Sequence, residues 1–164
     1  MAELVDLIDE EDKVVGIIEK QVLLTTNHPR RVVHIFVVNS KHEIYLHRIA
    51  QHKQWYPGYW ASSAAGFVKA GESYEDAAKR ELAEELGITD KPLTHLGKII
   101  LDFDDVRRFT GFYLCVHDGP IYPDNREIVE GRFFSRNEAE TLMKNGNITP
   151  SLPVLYRHFL RTHL

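Results

Sequence analysis

The chain has 164 residues and a formal net charge of −4, with 43% hydrophobic and 27% charged residues, the composition of an ordinary globular domain. The mild negative charge argues against general binding to nucleic acid polymers or anionic membranes, and no apolar run approaches the roughly 18 residues that span a bilayer. Cys115 is the only cysteine, which excludes an intramolecular disulfide. We expect it to be a small buried residue in a cytoplasmic protein.

The N-terminal segment contains two short apolar runs, residues 4–8 and 14–18, separated by a charged stretch. This pattern predicts a β-hairpin over residues 3–19. The acidic residues of its turn could bind a cation, but we expect a solvated turn; they are Asp9, Glu10, Glu11 and Asp12. Residues 22–28 have no periodic pattern and predict an irregular connection.

The next segment predicts two strands followed by an aromatic turn. Residues 31–39 are β-branched and apolar, as in a strand buried on both faces, and residues 43–49 return as a second strand. Pro57-Gly58 then marks a turn flanked by the aromatic residues Trp55, Tyr56, Tyr59 and Trp60. These rings could contact a base or an apolar tail of a substrate, or could wall the core. We take Trp55 and Tyr56 as candidate substrate-binding residues.

Residues 66–88, GFVKAGESYEDAAKRELAEELGI, contain a strongly marked helix. Ser73 is a candidate N-cap with Asp76 three residues on, and Gly87 supplies the stop. The residues between them have mostly good helix propensity, with no Pro or Gly. The pattern predicts a helix over residues 74–86.

Glu81, Glu84 and Glu85, hereafter the helix glutamates, stand at i, i+3 and i+4 and therefore share one face of this helix. We expect their carboxylates to converge. They would repel one another, and a divalent cation would turn that repulsion into binding, because hard oxygen ligands suit Mg²⁺. The alternative is a solvated, Glu-rich helix without a metal.

The wider spacing of this segment is more specific than the three glutamates alone. It is similar throughout to the signature box of the Nudix hydrolases, in which Gly, Glu, Arg-Glu-Leu, Glu-Glu and Gly-Ile recur at fixed separations. The matching residues are Gly66, Glu72, Arg80, Glu81, Leu82, Glu84, Glu85, Gly87 and Ile88. The resemblance implies an α/β fold, an α/β/α sandwich with a mixed β-sheet. It also implies metal-dependent cleavage of a group joined through a diphosphate.

The resemblance further implies roles for individual box residues. The helix glutamates match the metal-binding glutamates, and Glu84 or Glu85 would also help to deprotonate the attacking water; the three roles are not separable from sequence. Glu72 and Arg80 match an ion pair that braces the loop against the helix. Gly66 matches a position where the backbone passes close to the metal.

A longer resemblance, from residue 4 to about residue 87, points to the branch that contains isopentenyl diphosphate isomerase. In that isomerase a Cys precedes the first box Gly and a His follows it, whereas this chain has Ala65 and Phe67. Neither side chain can move a proton or bind a metal, so isomerase activity is not expected. Arg48 and Lys53 match basic residues that hold the diphosphate in that branch, with solvated charges as the alternative.

The C-terminal half predicts two strands, at residues 92–103 and 109–116, joined by a charged loop at residues 104–108. The arginine side chains of this loop, Arg107 and Arg108, could bind phosphate; the alternative is a surface loop of mixed charge. Residues 132–134 predict another strand, and Glu127 and Glu130 before it are candidates for one more acidic group near the metal. Ser135 with Glu138 forms a capping box that predicts a helix ending near Gly146. A final helix follows Thr149-Pro150 and has an apolar stripe.

These observations predict a single domain over residues 1–164. We expect Mg²⁺ as the cofactor, with Mn²⁺ as a substitute, a small diphosphate as the substrate, and a homodimer as in many relatives. The alternatives are the isomerase and a ligand-binding module without catalysis. Specificity in this family lies outside the box, so the sequence leaves the identity of the substrate open.

Overall fold

In a computed structural model, which describes residues 1–163, the chain folds into nine strands and four helices. The strands are β1 Leu4–Ile8, β2 Val14–Glu19, β3 Arg30–Val38, β4 Ile44–Ile49, β5 Trp60–Ala61, β6 Ala64–Phe67, β7 Thr94–Phe103, β8 Val106–Val116 and β9 Ile128–Phe134. The helices are α1 Lys20–Leu23, α2 Tyr74–Leu86, α3 Arg136–Asn145 and α4 Ser151–His163. Over the described residues, no helix is long and apolar enough to cross a membrane.

Seven strands form the central sheet, in the order β5-β4-β3-β8-β7, with β6 paired to β3 and β9 paired to β4. The β3–β8 pair is parallel and the other pairs are antiparallel, so the sheet is mixed. Helix α2 packs on one face, while α3 and α4 pack on the other. This confirms the predicted α/β/α sandwich.

Strand β3 lies at the centre because both of its faces are apolar. Val33 and Ile35 pack toward α2, whereas Phe36 and Val38 pack toward α4, since neighbouring side chains of a strand point to opposite faces. Cys115 on β8 is buried, as predicted.

The predicted bounds of helix α2 are confirmed at both ends. The Ser73 side chain accepts a hydrogen bond from the Asp76 amide at 3.1 Å, and Gly87 ends the helix with a left-handed φ of 66°. The capping box of Ser135 and Glu138 at the start of α3 is also present. The irregular connection predicted for residues 22–28 is wrong only at its beginning, where the short helix α1 ends at Leu23.

The loop predicted at residues 104–108 is wrong. Asp104 and Asp105 alone form the turn, with φ values of 55° and 58°, and Val106 already begins β8. A two-residue turn with two positive φ angles matches the twist of a β-hairpin, and Asp tolerates this conformation. Arg107 and Arg108 therefore lie on neighbouring positions of a strand and point to opposite faces of the sheet.

Strands β1 and β2 form the expected hairpin, but its turn is not fully solvated. The Asp12 side chain is only 4% exposed. It accepts hydrogen bonds from Arg31 Nε at 2.5 Å and Tyr74 Oη at 2.9 Å, and it also contacts Lys98 Nζ. Asp12 therefore anchors the hairpin to β3, α2 and β7.

Candidate metal and substrate site

Arg80 joins the first turns of the box to helix α2. Its Nε and Nη2 atoms donate to the two oxygens of Glu72 at 2.8 and 2.9 Å, and Nη2 also donates to the Phe67 carbonyl at 2.9 Å. Glu72 in turn accepts from the Lys69 amide at 3.0 Å. The Arg80 hydrogen bonds lower the pKa of Glu72 and keep this carboxylate ionised.

Glu81 lies where α2 crosses β6. A Cβ atom added to Gly66 would lie 2.1 Å from Glu81 Oε1, so only glycine leaves room for this carboxylate against the strand. Arg80 Nη1 donates to Glu81 Oε1 at 2.7 Å and approaches Glu84 Oε2 at 3.3 Å. Two of the helix glutamates thus share one guanidinium nitrogen.

Glu85 is partly buried and accepts a hydrogen bond from the Ala65 amide at 2.9 Å. Burial raises the pKa of Glu85 well above its usual value, and the negative charges of Glu81 and Glu127 raise it further. Burial also raises the pKa of Glu81. The two carboxylates are therefore close enough to repel each other in a poorly solvated place.

The helix glutamates do not converge on one point, contrary to the expectation from their spacing. Among residues 1–163, no three carboxylate, imidazole or thiol groups lie close enough together to hold a metal ion. The reason is local, because Arg80 draws Glu81 and Glu84 while the Ala65 amide holds Glu85. The donor set nevertheless fits a divalent cation, since it consists of hard oxygen atoms, and two of the carboxylates, Glu81 and Glu85, are partly buried and repel each other.

Two ion pairs extend this acidic region toward β9. Lys53 Nζ lies 2.6 Å from Glu127 Oε2, and Arg48 Nε lies 3.1 Å from Glu130 Oε1. Lys53 and Glu127 are also near Glu85, because their charges lower and raise its pKa respectively. Arg48 and Lys53 thus face glutamates rather than solvent alone.

A cavity of about 370 Å³ opens on the α4 side of the sheet, directly behind the start of the box. Ala65, Gly66 and Phe67 form part of its wall, and Trp55 and Tyr56 line it from the aromatic turn. Arg48 and Lys53 are not among its lining residues.

A hydrogen bond from Tyr56 Oη to Asp104 Oδ2, at 2.8 Å, joins two residues that line this cavity. The cavity and the helix glutamates meet at Ala65, whose amide binds Glu85 and whose side chain faces the cavity.

Sequence reasoning missed Arg30 and His34 in this cavity and gave Arg108 only as part of a loop that could bind phosphate. Arg30, His34 and Arg108 all line it. The alternation of side chains along β3 places Arg30 and His34 on one face, but no local motif indicates that Arg108 is the neighbour of Arg30. That pairing comes from the parallel register of β3 and β8, which joins distant parts of the chain.

Comparison with known proteins identifies the family. The NUDIX domain family matches residues 28–158, most of the chain. The chain belongs to the NUDIX family. This Nudix chain is 38% identical over 132 residues to an uncharacterized Nudix hydrolase of Pseudomonas aeruginosa, covering 80% of this chain and 78% of that protein. It is 40% identical over 173 residues to isopentenyl-diphosphate Delta-isomerase 1 of Photorhabdus laumondii, covering 98% of this chain and 97% of that protein.

Solved structures agree with this assignment. The Nudix chain superposes on DR0079 of Deinococcus radiodurans with a TM-score of 0.79 and 25% identity, covering 96% of this chain and 99% of that chain. The NUDIX domain of Shewanella oneidensis NrtR, solved with ADP ribose, shares the fold with a TM-score of 0.64 at 13% identity, covering 88% and 99% of the two chains. With its hydrolase relatives, the family match identifies a hydrolase that acts on pyrophosphate bonds.

Proposed function

We propose that this chain is a Mg²⁺-dependent hydrolase that cleaves the diphosphate linkage of a nucleoside diphosphate-X or a related small molecule. One observation carries the proposal: the repelling carboxylates of Glu81 and Glu85 lie on one side of β6, and a substrate-sized cavity lies on the other. A diphosphate that enters along Ala65 and Phe67 would reach the carboxylates at the strand edge.

The helix glutamates would hold the metal beside Gly66, where the missing side chain lets the Glu81 carboxylate lie against the backbone. Bound Mg²⁺ would neutralise phosphate charge and make a water more acidic, and Mn²⁺ could replace it. Glu85 is suited to take the proton from that water, because burial and Glu81 raise its proton affinity. Glu84, which is more exposed, is the other candidate. Arg80 would release Glu81 and Glu84 to the metal while it remains bound to Glu72.

The candidate aromatic residues and the candidate basic residues would bind different parts of the substrate. Trp55 and Tyr56 would cover the X group in the cavity. Lys53 would contact the diphosphate beside Glu85, exchanging its ion pair with Glu127 for a phosphate oxygen. Arg48 would do so only if its pair with Glu130 opens.

Glu127 would be the further acidic group near the metal, because its charge acts on Glu85. Glu130 has its partner on β4 instead, which favours a structural role. Unchanged turnover in both Glu127→Gln and Glu130→Gln would remove a catalytic role for either residue.

A second candidate function is the isomerisation of isopentenyl diphosphate, which the 40% identity to a named isomerase favours. The residues of the cavity wall argue against isomerisation, since the side chains of Ala65 and Phe67 provide no proton donor and no metal ligand.

Three broader expectations remain proposals. A homodimer is supported by β2, whose side chains Val14, Val15 and Ile17 are largely exposed. One domain over the whole chain is supported by the hairpin, because the Ala70 amide donates to the Leu4 carbonyl at 2.9 Å. A cytoplasmic location is compatible with a single, buried cysteine.

The test is phosphate release, with coupling pyrophosphatase and phosphatase, from a panel of nucleotides, nucleotide sugars, dinucleotides, coenzyme A and prenyl diphosphates. Each is measured with Mg²⁺, with Mn²⁺ and with EDTA, and isopentenyl diphosphate isomerisation is followed in parallel. We expect metal-dependent hydrolysis of at least one substrate and no isomerisation. Isomerisation without hydrolysis would show that the chain is an isomerase instead. No activity in either assay would favour a ligand-binding module without catalysis.

A further inference from the structure

The cavity behind the box has a basic end formed by Arg30 and Arg108. These residues are direct partners in the parallel register of β3 and β8, and strands so paired lie about 4.8 Å apart. Both occupy the face of the sheet that carries Phe36 and Phe112, and both line the cavity. Arg30 and Arg108 therefore occupy neighbouring strands on one face of the sheet and contribute to the wall of the same cavity.

In the part of the chain that the structure describes, neither guanidinium forms a direct ion pair with a carboxylate, although the charges of Asp104, which also lines the cavity, and Asp102 act on Arg108 from farther away. Within residues 1–163, no Asp or Glu oxygen lies within 4.0 Å of a side-chain nitrogen of Arg30 or Arg108, although seven other arginines form such pairs. Their partners are backbone carbonyls instead. Arg30 Nη2 donates to the Thr26 carbonyl at 2.9 Å, and Arg108 Nη1 donates to the Phe103 carbonyl at 2.9 Å.

These carbonyl contacts fix the two side chains and leave donors free. Arg30 is 5% exposed, and the guanidinium of Arg108 lies 3.6 Å from the centre of the Phe103 ring. The Nε and Nη2 atoms of Arg108 and the Nη1 atom of Arg30 form no hydrogen bond within the described part of the chain. These N–H donors are therefore held in position by the other hydrogen bonds of the two side chains and are free to bind an acceptor.

The pKa values of Arg30 and Arg108 show that their charged forms are disfavoured in this arrangement. Burial lowers the pKa of both Arg30 and Arg108, and the positive charge of Arg30 lowers that of Arg108 further. The charges of Asp104 and Asp102 raise the pKa of Arg108 but do not offset the lowering. Two like charges in a poorly solvated space are unfavourable unless an anion compensates them. A doubly charged oxyanion would satisfy both guanidinium groups through the free donors.

This basic end is separate from the place where a diphosphate would meet the helix glutamates. Ala65, which binds Glu85, pairs with His34 on β3, four residues from Arg30. Four residues of a strand span about 13 Å, which is longer than a diphosphate group. Trp55 and Tyr56 line the same cavity and can cover an organic group between the two ends.

We propose that Arg30 and Arg108 bind a phosphate monoester on the X group, remote from the diphosphate that is cleaved. The proposal rests on the proposed function for the position of the diphosphate, and it names a substrate class: X-linked diphosphates with a second, terminal phosphate. A phosphate monoester fits better than a carboxylate because its two charges match two guanidinium groups.

The binding test uses inorganic phosphate in the presence of EDTA, so that it does not depend on hydrolysis. The Nε–H resonances of Arg30 and Arg108 are followed by ¹H–¹⁵N NMR during the titration, and acetate at equal ionic strength is the comparison. We expect saturable shifts of both resonances with a common Kd of about 1 mM or tighter, and weaker effects of acetate.

The variants make the test specific. Arg108→Gln should weaken phosphate binding by about 10-fold or more, as judged at the Arg30 resonance, whereas Arg108→Lys should retain part of it. Arg107→Gln is the matched control, because Arg107 points to the other face and pairs with Asp102 at 3.0 Å. The absence of a saturable shift in the wild type, or an equal response in Arg107→Gln and Arg108→Gln, would overturn the proposal. Equal binding of acetate would overturn the choice of phosphate.

A kinetic measurement connects the site to the substrate. Coenzyme A and dephospho-coenzyme A, and NADPH and NADH, differ by one phosphate monoester remote from the diphosphate. We expect the phosphorylated member of at least one pair to have the lower KM, and Arg108→Gln to remove the difference with little change in kcat. Phosphate binding without any hydrolysis would support the anion site and refute the proposed function. Hydrolysis without phosphate binding would support the proposed function and refute the anion site.

Discussion

At the scale of single residues, Glu85 combines the features that a catalytic carboxylate needs. It is held by the Ala65 amide and lies near Glu81, so its position is fixed and its charged form is disfavoured. Such an arrangement costs stability in the folded protein without a metal and provides a strong oxygen ligand or base once a cation is bound.

The first prediction follows from the raised pKa of Glu85. Between the usual glutamate value of 4.5 and the raised value, the folded protein binds more protons than the unfolded chain, so the free energy of unfolding falls as the pH rises. Glu85→Gln removes this effect and retains an acceptor for the Ala65 amide. In EDTA at pH 7.5 we expect a higher Tm than for the wild type, measured by calorimetry. If the Tm of Glu85→Gln is equal to or below that of the exposed control Glu75→Gln, the ionised Glu85 carboxylate does not destabilise the folded protein.

His34 should respond to pH in the opposite sense. Burial, with the charges of His47 and Arg108, lowers the pKa of His34 to about 4 from the usual 6.5, so it is neutral in the folded protein. The unfolded chain binds the additional proton between these values, and stability is lost as the pH falls below about 6.5.

The second prediction is therefore a smaller pH dependence in His34→Asn, which cannot titrate. From pH 7 to pH 4 the wild type should lose up to about 3 kcal/mol more unfolding free energy than this variant. Urea unfolding at several pH values measures the difference, and His52→Asn, at an exposed position, should behave like the wild type. Parallel curves for the wild type and His34→Asn would contradict an imidazole that is neutral in the folded protein.

At the scale of elements, the N-terminal hairpin supports the loop that precedes helix α2. Val5 pairs with Lys69, and Asp6 accepts a hydrogen bond from the Gly71 amide at 3.4 Å. Asp12 ties the other end of the hairpin to Arg31 and Tyr74. The hairpin thus helps to orient the loop that Glu72 and Arg80 also brace.

The third prediction concerns Asp12→Asn, which keeps the shape and tolerates the left-handed φ of 64° but removes the charge. We expect a loss of about 2–3 kcal/mol of unfolding free energy, because Arg31 and Lys98 lose a buried anionic partner. Glu11→Gln at the exposed tip should change stability by less than about 0.5 kcal/mol. If amide hydrogen exchange in β1 and β2 is the same in Asp12→Asn as in the wild type, Asp12 does not anchor the hairpin.

The elements also show what the sequence could and could not predict. Helix α2 was predictable to the residue because its cap, its propensity and its glycine stop are local signals. The hairpin turn at Asp104-Asp105 was not, because two aspartates with positive φ resemble an ordinary charged loop in sequence. Likewise, a buried Asp12 has the same local sequence as a solvated one, and only Arg31, Tyr74 and Lys98 distinguish them.

At the scale of the whole molecule, an acidic end at the helix glutamates lies outside the cavity, behind Ala65, and a basic end at Arg30 and Arg108 lines the cavity itself. The acidic end was visible in the sequence because its residues share one helix. The pairing of Arg108 with Arg30 that forms the basic end was hidden, because it arises from the parallel pairing of two strands that are far apart in the chain. The candidate pairs of Lys53 with Glu127 and Arg48 with Glu130 were hidden for the same reason.

The measurement that tests the central claim most directly is the rate of phosphate release from the best substrate of the panel by the wild type, Glu85→Gln and Glu75→Gln. We expect wild-type turnover that requires Mg²⁺ and stops in EDTA, and a loss of about 100-fold or more in Glu85→Gln with the fold retained. Glu75→Gln, on the same helix but exposed and paired with Lys79, should stay within about twofold. Wild-type turnover in Glu85→Gln, or hydrolysis that persists in EDTA, would contradict metal-dependent catalysis at this site.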